Sequence, residues 1–246
     1  MRGTNRVLHS IDLRIQDGEH VAILGPNGCG KSTLIKTITR ECYPLRTPGS
    51  RLRIMGRETW NIFELRSMLG IVSNDLLNTT THDLTGEEVV LSGFFSSIGI
   101  WPNHTVAPEM RRKAKQVLEL LEVPHLAARF IGEMSSGEVH RMMIGRALVH
   151  EPRALLLDEP STSLDLFAQH ELRVILSKLA RSGTGILLIT HHLSDLIPEI
   201  ARAILLKSGR VFADGSKPEV LTEQRLGELF GLPVTLEIRD GHYHLW

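Results

Sequence analysis

A nine-residue stretch, GPNGCGKST at residues 25–33, constrains the fold of this 246-residue chain more than any other feature. It matches the pattern G-x-x-x-x-G-K-[ST] and lies between the apolar run HVAIL and the helical pattern TLIKTITREC. Glycines have no Cβ, so backbone N–H groups can wrap around phosphate oxygens at the positive end of the helix that follows. Alone, the pattern could be a glycine-rich turn; between a buried strand and a helix, it predicts a phosphate-binding loop.

The residue types in this loop predict separate roles. We expect Lys31 to direct its charge toward the β- and γ-phosphates and the Ser32 hydroxyl to ligate Mg²⁺. Cys29 is either an oxidisable thiol activated by the helix N-terminus or a small loop residue, and the second interpretation is favoured. The nucleotide-binding candidates of the loop are Gly25, Pro26, Asn27, Gly28, Cys29, Gly30, Lys31, Ser32 and Thr33.

Two further apolar runs end in polar residues. ALLLDEP places Asp158 and Glu159 at the end of one strand, and LLITHH places His191 at the end of another. Ligands bind at the carboxyl ends of strands in open α/β sheets. We therefore expect Asp158 to hold Mg²⁺ through water, Glu159 to polarise an attacking water, and His191 to donate to the γ-phosphate. Solvated acids and a structural histidine are the alternatives. Three neighbouring histidines are interpreted as non-functional: His192, His242 and His244.

The stretch EMSSGEVHR at residues 133–141 has the features of a helix start. Ser135 and Glu138 have the S-x-x-E spacing of a capping box, which satisfies backbone donors at the N-terminus of a helix. Such a helix start is also an anion site, because its free N–H groups and positive dipole end point outward. Taken alone, the stretch favours a plain helix cap.

Composition restricts the partners and the compartment. Lys and Arg number 28, as do Asp and Glu, so bulk charge gives no reason to predict a nucleic-acid partner. Cys29 and Cys42 form no disulfide framework and fit a reducing cytosol. The apolar run at 89–101 is too short to span a bilayer, and the N-terminus lacks the apolar region of a signal peptide. We expect a cytoplasmic protein that acts at a membrane only as a peripheral subunit on its cytoplasmic face.

Strands that alternate with helices predict an α/β fold with a mostly parallel, doubly wound sheet. We expect a single domain: residues 1–75 and 146–220 form the α/β core, 76–145 an inserted helical subdomain, and 221–246 a C-terminal helix and β-hairpin. Asp240-Gly241 predicts the turn of that hairpin, with Ile238 opposite Tyr243 and Leu236 opposite Leu245.

An antiparallel β subdomain is expected near the N-terminus. Residues 7–15 alternate apolar and polar side chains before the turn residues Asp17-Gly18, and β-like segments follow around SRLRIMGRETW. Near the other end of the core, LSDLIPEI at 193–200 is interpreted as a helix.

Five motifs in this order resemble the nucleotide-binding domain of ABC (ATP-binding cassette) ATPases, over essentially the whole chain. They resemble both importer-type members and stand-alone soluble members. The resemblance implies a RecA-like P-loop NTPase core and hydrolysis of ATP with Mg²⁺, and it argues against a GTPase or a small-molecule kinase. The motifs are the P-loop at 25–33, SSGE in the signature position, LLLDEP as Walker B, STSLD ending at Asp165 as the D-loop, and His191 as the switch histidine.

The resemblance also implies a head-to-tail dimer with a second copy or a homologous ATPase. Each ATP would lie between the P-loop of one protomer and the signature helix of the other. Five residues would act in cis: Lys31, Ser32, Asp158, Glu159 and His191. Ser135 and Gly137 would bind the γ-phosphate of the partner's ATP in trans, and the further ATP-binding candidates are Ser136, Glu138 and Asp165. An isolated monomer would then be an incomplete enzyme.

Three positions depart from the family pattern. The signature has Ser136 and Glu138 where the family favours glycine and glutamine. Asn74 replaces the glutamine that reaches Mg²⁺ and the attacking water; because it is shorter, we expect a bridging water instead of direct ligation. The aromatic residue that stacks on adenine belongs near the N-terminus, where Met1 and Arg2 stand. Either the Arg2 guanidinium stacks there, the stacking residue is missing, or the chain starts late.

Two roles remain open for such an ATPase. The first is the energising subunit of an ABC transporter with separate membrane subunits, since KPEVLTEQRLGELFGLPVTLEI resembles the tails of ATPases that serve metal-chelate and vitamin importers. In that case SGFFSSIGIW is either a docking patch or local core. The alternative is a soluble non-transport ABC ATPase in regulation, repair or translation, which Asn74 fits slightly better. A binding module without hydrolysis is disfavoured by Lys31, Asp158 and Glu159. We favour the transporter, the dominant role in the family.

Overall fold

The computed structural model describes residues 6–45, 47–73, 76 and 82–246, so Arg2 and Asn74 lie outside the described residues. The chain divides into two compact units, Met1–Leu65 with Gly185–Trp246, and Arg66–Thr184. The strands are β1 His20–Leu24, β2 Leu69–Ser73, β3 Ala154–Asp158, β4 Gly185–Thr190, β5 Arg202–Lys207, β6 Arg210–Ser216, β7 Leu236–Arg239 and β8 His242–Leu245. The α-helices are α1 Lys31–Ile38, α2 Ile62–Met68, α3 Gly86–Ser92, α4 Pro108–Leu120, α5 Ser136–Leu148, α6 Leu166–Arg181, α7 Lys217–Val220 and α8 Glu223–Phe230.

The first unit is built around β1, which pairs in parallel with β4 on one side and with β5 on the other. Strand β6 continues from β5 as its antiparallel neighbour. The last four residues of β1 are fully buried, as its continuous apolar run predicts for a central strand. In register, Leu24 lies beside Thr190. The segments that follow these two residues, the P-loop and the His191 loop, therefore start from neighbouring strand ends.

The predicted strand over residues 7–15 is wrong for the described residues. Ile11, Leu13 and Ile15 are half-buried and the side chains between them are exposed, so the alternation of burial is real. No β-ladder accompanies it; the backbone is held instead by a hydrogen bond from the His9 N–H to the Gly209 carbonyl oxygen, 2.8 Å long. Alternation of apolar and polar side chains indicates which residues are buried. A β-strand also requires a neighbouring strand with which it can form hydrogen bonds. The expected antiparallel β segment around 51–61 is reduced to one isolated bridge between Ile54 and Arg57.

In the C-terminal part of the first unit, one prediction is confirmed and another is wrong. Strands β7 and β8 form the predicted hairpin, and Ile238 pairs with Tyr243 as expected. The helix expected over 193–200 is wrong, because only Leu193–Asp195 forms a single 3₁₀ turn. Pro198 explains the early end: it has no N–H to donate, and it disfavours helical geometry in the residue before it.

In the second unit, β2 and β3 pair in parallel, and the rest is mainly helical. Helix α5 is the centre of this unit, since it packs on α3, α4, α6 and β2. Its residues Met142, Met143 and Ile144 are almost completely buried. The sequence predicted both the parallel pairing and the helix-rich segment.

The apolar segment around residues 93–101 packs mainly on itself and its neighbours. Phe94 meets the ring of His150 edge-on at 5.2 Å, and Phe95 stacks on His104 at 4.1 Å between ring centroids. Trp101 alone among these aromatic residues is largely exposed, at 58%. Within the described ranges, every helix is too short or too polar to cross a membrane.

Candidate functional site

The phosphate-binding loop has a conformation that requires glycine at several positions. Gly28 and Gly30 have φ angles of 79° and 111°, in the left-handed region that other residues rarely adopt. A Cβ on Gly25 would lie 2.3 Å from the carbonyl oxygen of Leu206. Gly30 is the N-cap of α1 and has no side chain to cap it. Helix α1 therefore begins without a side-chain cap, as expected for a helix start that binds an anion.

Lys31 is buried inside this loop, with 6% of its surface exposed. Its Nζ donates to the carbonyl oxygens of Gly25, at 2.6 Å, and Pro26, at 3.2 Å. These bonds keep the positive charge at the loop itself. Cys29 is also buried; its N–H donates to the Pro26 carbonyl and its own carbonyl accepts from Gly209. This packing fits the interpretation of Cys29 as a small loop residue.

His191 follows directly after β4 and is in contact with its neighbour. The ring centroids of His191 and His192 are 3.8 Å apart, with an interplanar angle of 41°. The Thr190 hydroxyl accepts from the His192 N–H at 3.0 Å and donates to Oδ2 of Asp195 at 2.5 Å. Sequence reasoning missed this contact, and the interpretation of His192 as non-functional stays a prediction. The paired histidines at the end of a buried strand were the available signal.

The acidic residues lie at the end of β3 in the second unit. Asp158 is the last residue of that strand and is in register with Ser73, which immediately precedes Asn74. Glu159 has a φ of 50°, a left-handed conformation that costs on the order of 1–3 kcal/mol for a residue with a side chain. Its carbonyl accepts from the N–H of Thr162 at 3.2 Å in a turn. Backbone strain of this kind is typical of functional positions.

The signature segment forms the capping box that its spacing predicts. The Ser135 hydroxyl accepts from the Glu138 N–H at 3.3 Å, and Oε2 of Glu138 accepts from the Ser135 N–H at 2.7 Å. Burial raises the pKa of Glu138, but the two hydrogen bonds from Ser135 and the charge of Arg129 outweigh it, so the pKa lies below its ordinary value. Helix α5 therefore begins with a carboxylate in its first turn at neutral pH.

Gly137 has a packing role as well as a candidate binding role. A Cβ at this position would lie 2.8 Å from the Cβ of Ala168 on α6, closer than ordinary contacts allow. Asp165 is the N-cap of α6, where its side chain accepts from the Ala168 N–H at 2.8 Å. The first turn of α5, which carries Gly137, thus packs on the first turn of α6, which Asp165 caps. Sequence reasoning missed Ala168, because this contact depends on how the two helices pack.

The donors available for a metal are oxygen atoms. In the part of the chain that the structure describes, His, Cys, Asp and Glu form no cluster of three or more that could hold a metal ion. Mg²⁺ differs from metals bound in such clusters, since it usually takes one or two carboxylates and completes its shell with water and substrate phosphate. A hydroxyl such as Ser32 and a carboxylate such as Asp158 fit that donor preference.

Comparison with known proteins agrees with these motifs. The ABC transporter family profile matches residues 8–162. The ABC transporter ATP-binding protein YlmA of Bacillus subtilis is 34% identical over 93% of this chain and 86% of its own length. The hemin import ATP-binding protein HmuV of Rhizobium meliloti is 30% identical over 96% of this chain and 90% of its own.

A solved structure shows the same fold with nucleotide products bound. It is a dimeric ATP-binding cassette in a post-hydrolysis state with ADP and Pi, and it superposes with a TM-score of 0.70 at 27% identity. The match covers 85% of this chain and 90% of that one. The chain therefore belongs to the ABC transporter family and is an ATP-binding, ATP-hydrolysing subunit of the ABC type.

Proposed function

We propose that this chain hydrolyses ATP as one half of a head-to-tail dimer and that it energises transport through separate membrane subunits. The observation that carries the nucleotide site is the P-loop itself. Its glycines adopt left-handed angles, and α1 begins without a side-chain cap. Lys31 adds a buried positive charge at the same place. Together these features favour binding of a polyphosphate.

In the proposed cis half, Lys31 binds the β- and γ-phosphates, and His191 donates to the γ-phosphate. Ser32 and Asp158 are the proposed holders of Mg²⁺, which supplies charge neutralisation on the phosphate oxygens. Glu159 polarises the attacking water. Asn74 and Arg2, the proposed partners of Mg²⁺ and adenine, complete this half of the site.

In the proposed trans half, the partner's ATP meets the exposed start of α5. Ser135 and Ser136 are both exposed there, so their hydroxyls are accessible to a second protomer. Glu138 brings a negative charge to the same helix turn, and Arg129, 3.4 Å away, offsets it. The proposed trans contacts are Ser135 and Gly137, and Ser136, Glu138 and Asp165 are proposed as further ATP-binding residues.

The transport role is supported by the relatives. Among them, HmuV is a hemin import protein, and its match spans nearly the whole chain. We extend the proposal to a peripheral position on the cytoplasmic face, with residues 76–145 as the helical subdomain that meets the membrane subunits. Substrate choice would then belong to those subunits. A soluble non-transport ABC ATPase is the alternative that the experiment below must exclude.

A single tagged variant, Glu159→Gln, tests both parts of the proposal. We expect hydrolysis to fall by about 100-fold or more, because the water loses its polarising carboxylate. ATP should then hold the variant as a dimer in size-exclusion chromatography, and purification from native membranes with ATP should recover an integral membrane partner.

The matched control is Glu58→Gln, an exposed acid outside residues 76–145 that should leave all three readouts unchanged. Normal turnover by Glu159→Gln would remove Glu159 from catalysis. Recovery of the trapped dimer without any membrane protein would favour the soluble alternative.

A further inference from the structure

The loop that carries His191 is closed by a buried polar pair. Thr190 is fully buried and Asp195 is 4% exposed, and the Thr190 hydroxyl donates to Oδ2 of Asp195 at 2.5 Å. A carboxylate in such a position is costly unless it is hydrogen-bonded, so the pair is stable only when both members are in place. The bond joins the end of β4 to the end of the short 3₁₀ turn and spans the two histidines between them.

The same hydroxyl also fixes the backbone beside His191. While it donates to Asp195, the Thr190 oxygen accepts from the N–H of His192 at 3.0 Å. This second bond sets the orientation of the peptide group that joins His191 to His192. The ring of His192 then packs against the ring of His191, at 3.8 Å between centroids. The position of the His191 imidazole is therefore restricted from its backbone and from one face of its ring.

The far side of the loop is anchored as well. Beyond the 3₁₀ turn, the buried ammonium of Lys217 donates to the carbonyl oxygens of Ile197, at 3.3 Å, and Pro198, at 3.4 Å. Lys217 also lies over the ring of Tyr243, 5.2 Å from its centroid. Strand β8 packs on the 3₁₀ turn itself. Because this end of the loop is fixed, loss of the Thr190–Asp195 bond should mainly change the positions of His191 and His192.

We propose that Thr190 and Asp195 are positioning residues for His191, which act on ATP hydrolysis through the histidine and make no contact with the nucleotide. The proposal rests on the proposed role of His191 in the hydrolysis step. A small misplacement of a catalytic group can cost up to about 100-fold in rate, which sets the scale of the expected effect.

Thr190→Val and Thr190→Ser form a matched pair for the test, because valine keeps the shape and loses the hydroxyl, whereas serine keeps the hydroxyl. We expect valine to lower kcat about tenfold or more, with the KM for ATP changed less than about twofold, and serine to stay near wild type. If the valine variant folds poorly, Asp195→Asn provides the second test, since it keeps the size and weakens the bond. It should lower kcat by a smaller factor and also leave KM in place.

Each variant is then combined with His191→Ala, and the residual hydrolysis is followed over hours with radiolabelled ATP. If Thr190 acts through the histidine, Thr190→Val should cause no further loss in this background. An equal loss in both backgrounds, or a serine variant as slow as the valine variant, would overturn the positioning role while leaving His191 in catalysis. Normal turnover by His191→Ala alone would instead overturn the proposed role of His191, and the positioning role with it.

Discussion

The N-termini of α1 and α5 differ in how their backbone N–H groups are capped. Both helices have backbone N–H groups in their first turn with no partner inside the helix. At the start of α5, the Ser135 hydroxyl accepts from the Glu138 N–H, and the Glu138 carboxylate accepts from the Ser135 N–H. Helix α1 begins at Gly30, which has no side chain, and its first turn contains no acidic residue. One helix start has a side-chain cap, and the other has none.

Charge sharpens this difference. Negative charge near a helix N-terminus is favourable and positive charge is unfavourable, because of the helix dipole. Glu138 therefore stabilises the start of α5, whereas the buried Lys31 opposes the dipole of α1. An anion bound at α1 would relieve that opposition. At α5 an anion would approach a carboxylate already in place. A bound phosphate would therefore stabilise the start of α1 more than the start of α5.

The largest effect should follow from Lys31→Ala. Removal of the buried charge should lower ATP hydrolysis by about 100-fold or more, because the phosphates lose their cationic partner. Lys36→Ala, on the last turn of the same helix, is the matched control and should stay within about twofold. Steady-state hydrolysis and equilibrium ATP binding measure the effect. Activity of Lys31→Ala within tenfold of wild type would contradict the assignment of α1 as the phosphate site.

A smaller effect is expected from Ser135→Ala, which breaks the internal cap of α5. Loss of an N-cap serine lowers the free energy of unfolding by about 1 kcal/mol. Ser136→Ala, one residue further on, removes an exposed hydroxyl with no capping role and should change it by less than about 0.5 kcal/mol. Urea unfolding of the two variants makes the comparison. Equal destabilisation by both would mean that the capping box does not stabilise this helix.

The smallest effect concerns the pH dependence of Glu138. Its pKa in the folded protein lies below the ordinary value of 4.5, so folding favours the carboxylate. The resulting stabilisation is present above the unfolded pKa and is lost as the pH falls through the folded pKa. Glu138→Gln keeps an acceptor for the Ser135 N–H but does not titrate. Below pH 4.5, wild type should therefore lose stability faster than the variant. Parallel acid-unfolding curves would contradict this.

Local patterns in the sequence predicted local structure well. The capping box at Ser135 and the hairpin at Asp240-Gly241 depend on residues a few positions apart, and both formed as expected. The parallel core was predictable because strand and helix patterns alternate. The strand over 7–15 failed because pairing depends on a neighbour that the segment itself does not specify. The prediction of a helix over 193–200 was wrong for a local reason. It relied on the apolar pattern and gave too little weight to Pro198.

The site shows the same division. Gly25–Thr33 and Asp158 were identified as candidates from motifs, because their proposed chemistry depends on residue type and short spacing, and their roles stay predictions. The contact between Gly137 and Ala168 joins two helices. The bond between Thr190 and Asp195 crosses a turn in a segment that was predicted as a helix. Such contacts depend on the packed structure. The sequence therefore identified candidate residues, but it could not predict the contacts between distant residues that surround them.

The pairing of β1 has a consequence for the order of events during synthesis. The strand that carries the P-loop pairs with β4 and β5, which leave the ribosome only after more than 150 further residues have been made. At about 5–20 residues per second, this delay is roughly ten to thirty seconds. Until then β1 is an apolar strand without its native neighbours, and the P-loop has no fixed base. The nascent chain therefore acquires its phosphate site only after β4 and β5 have been made.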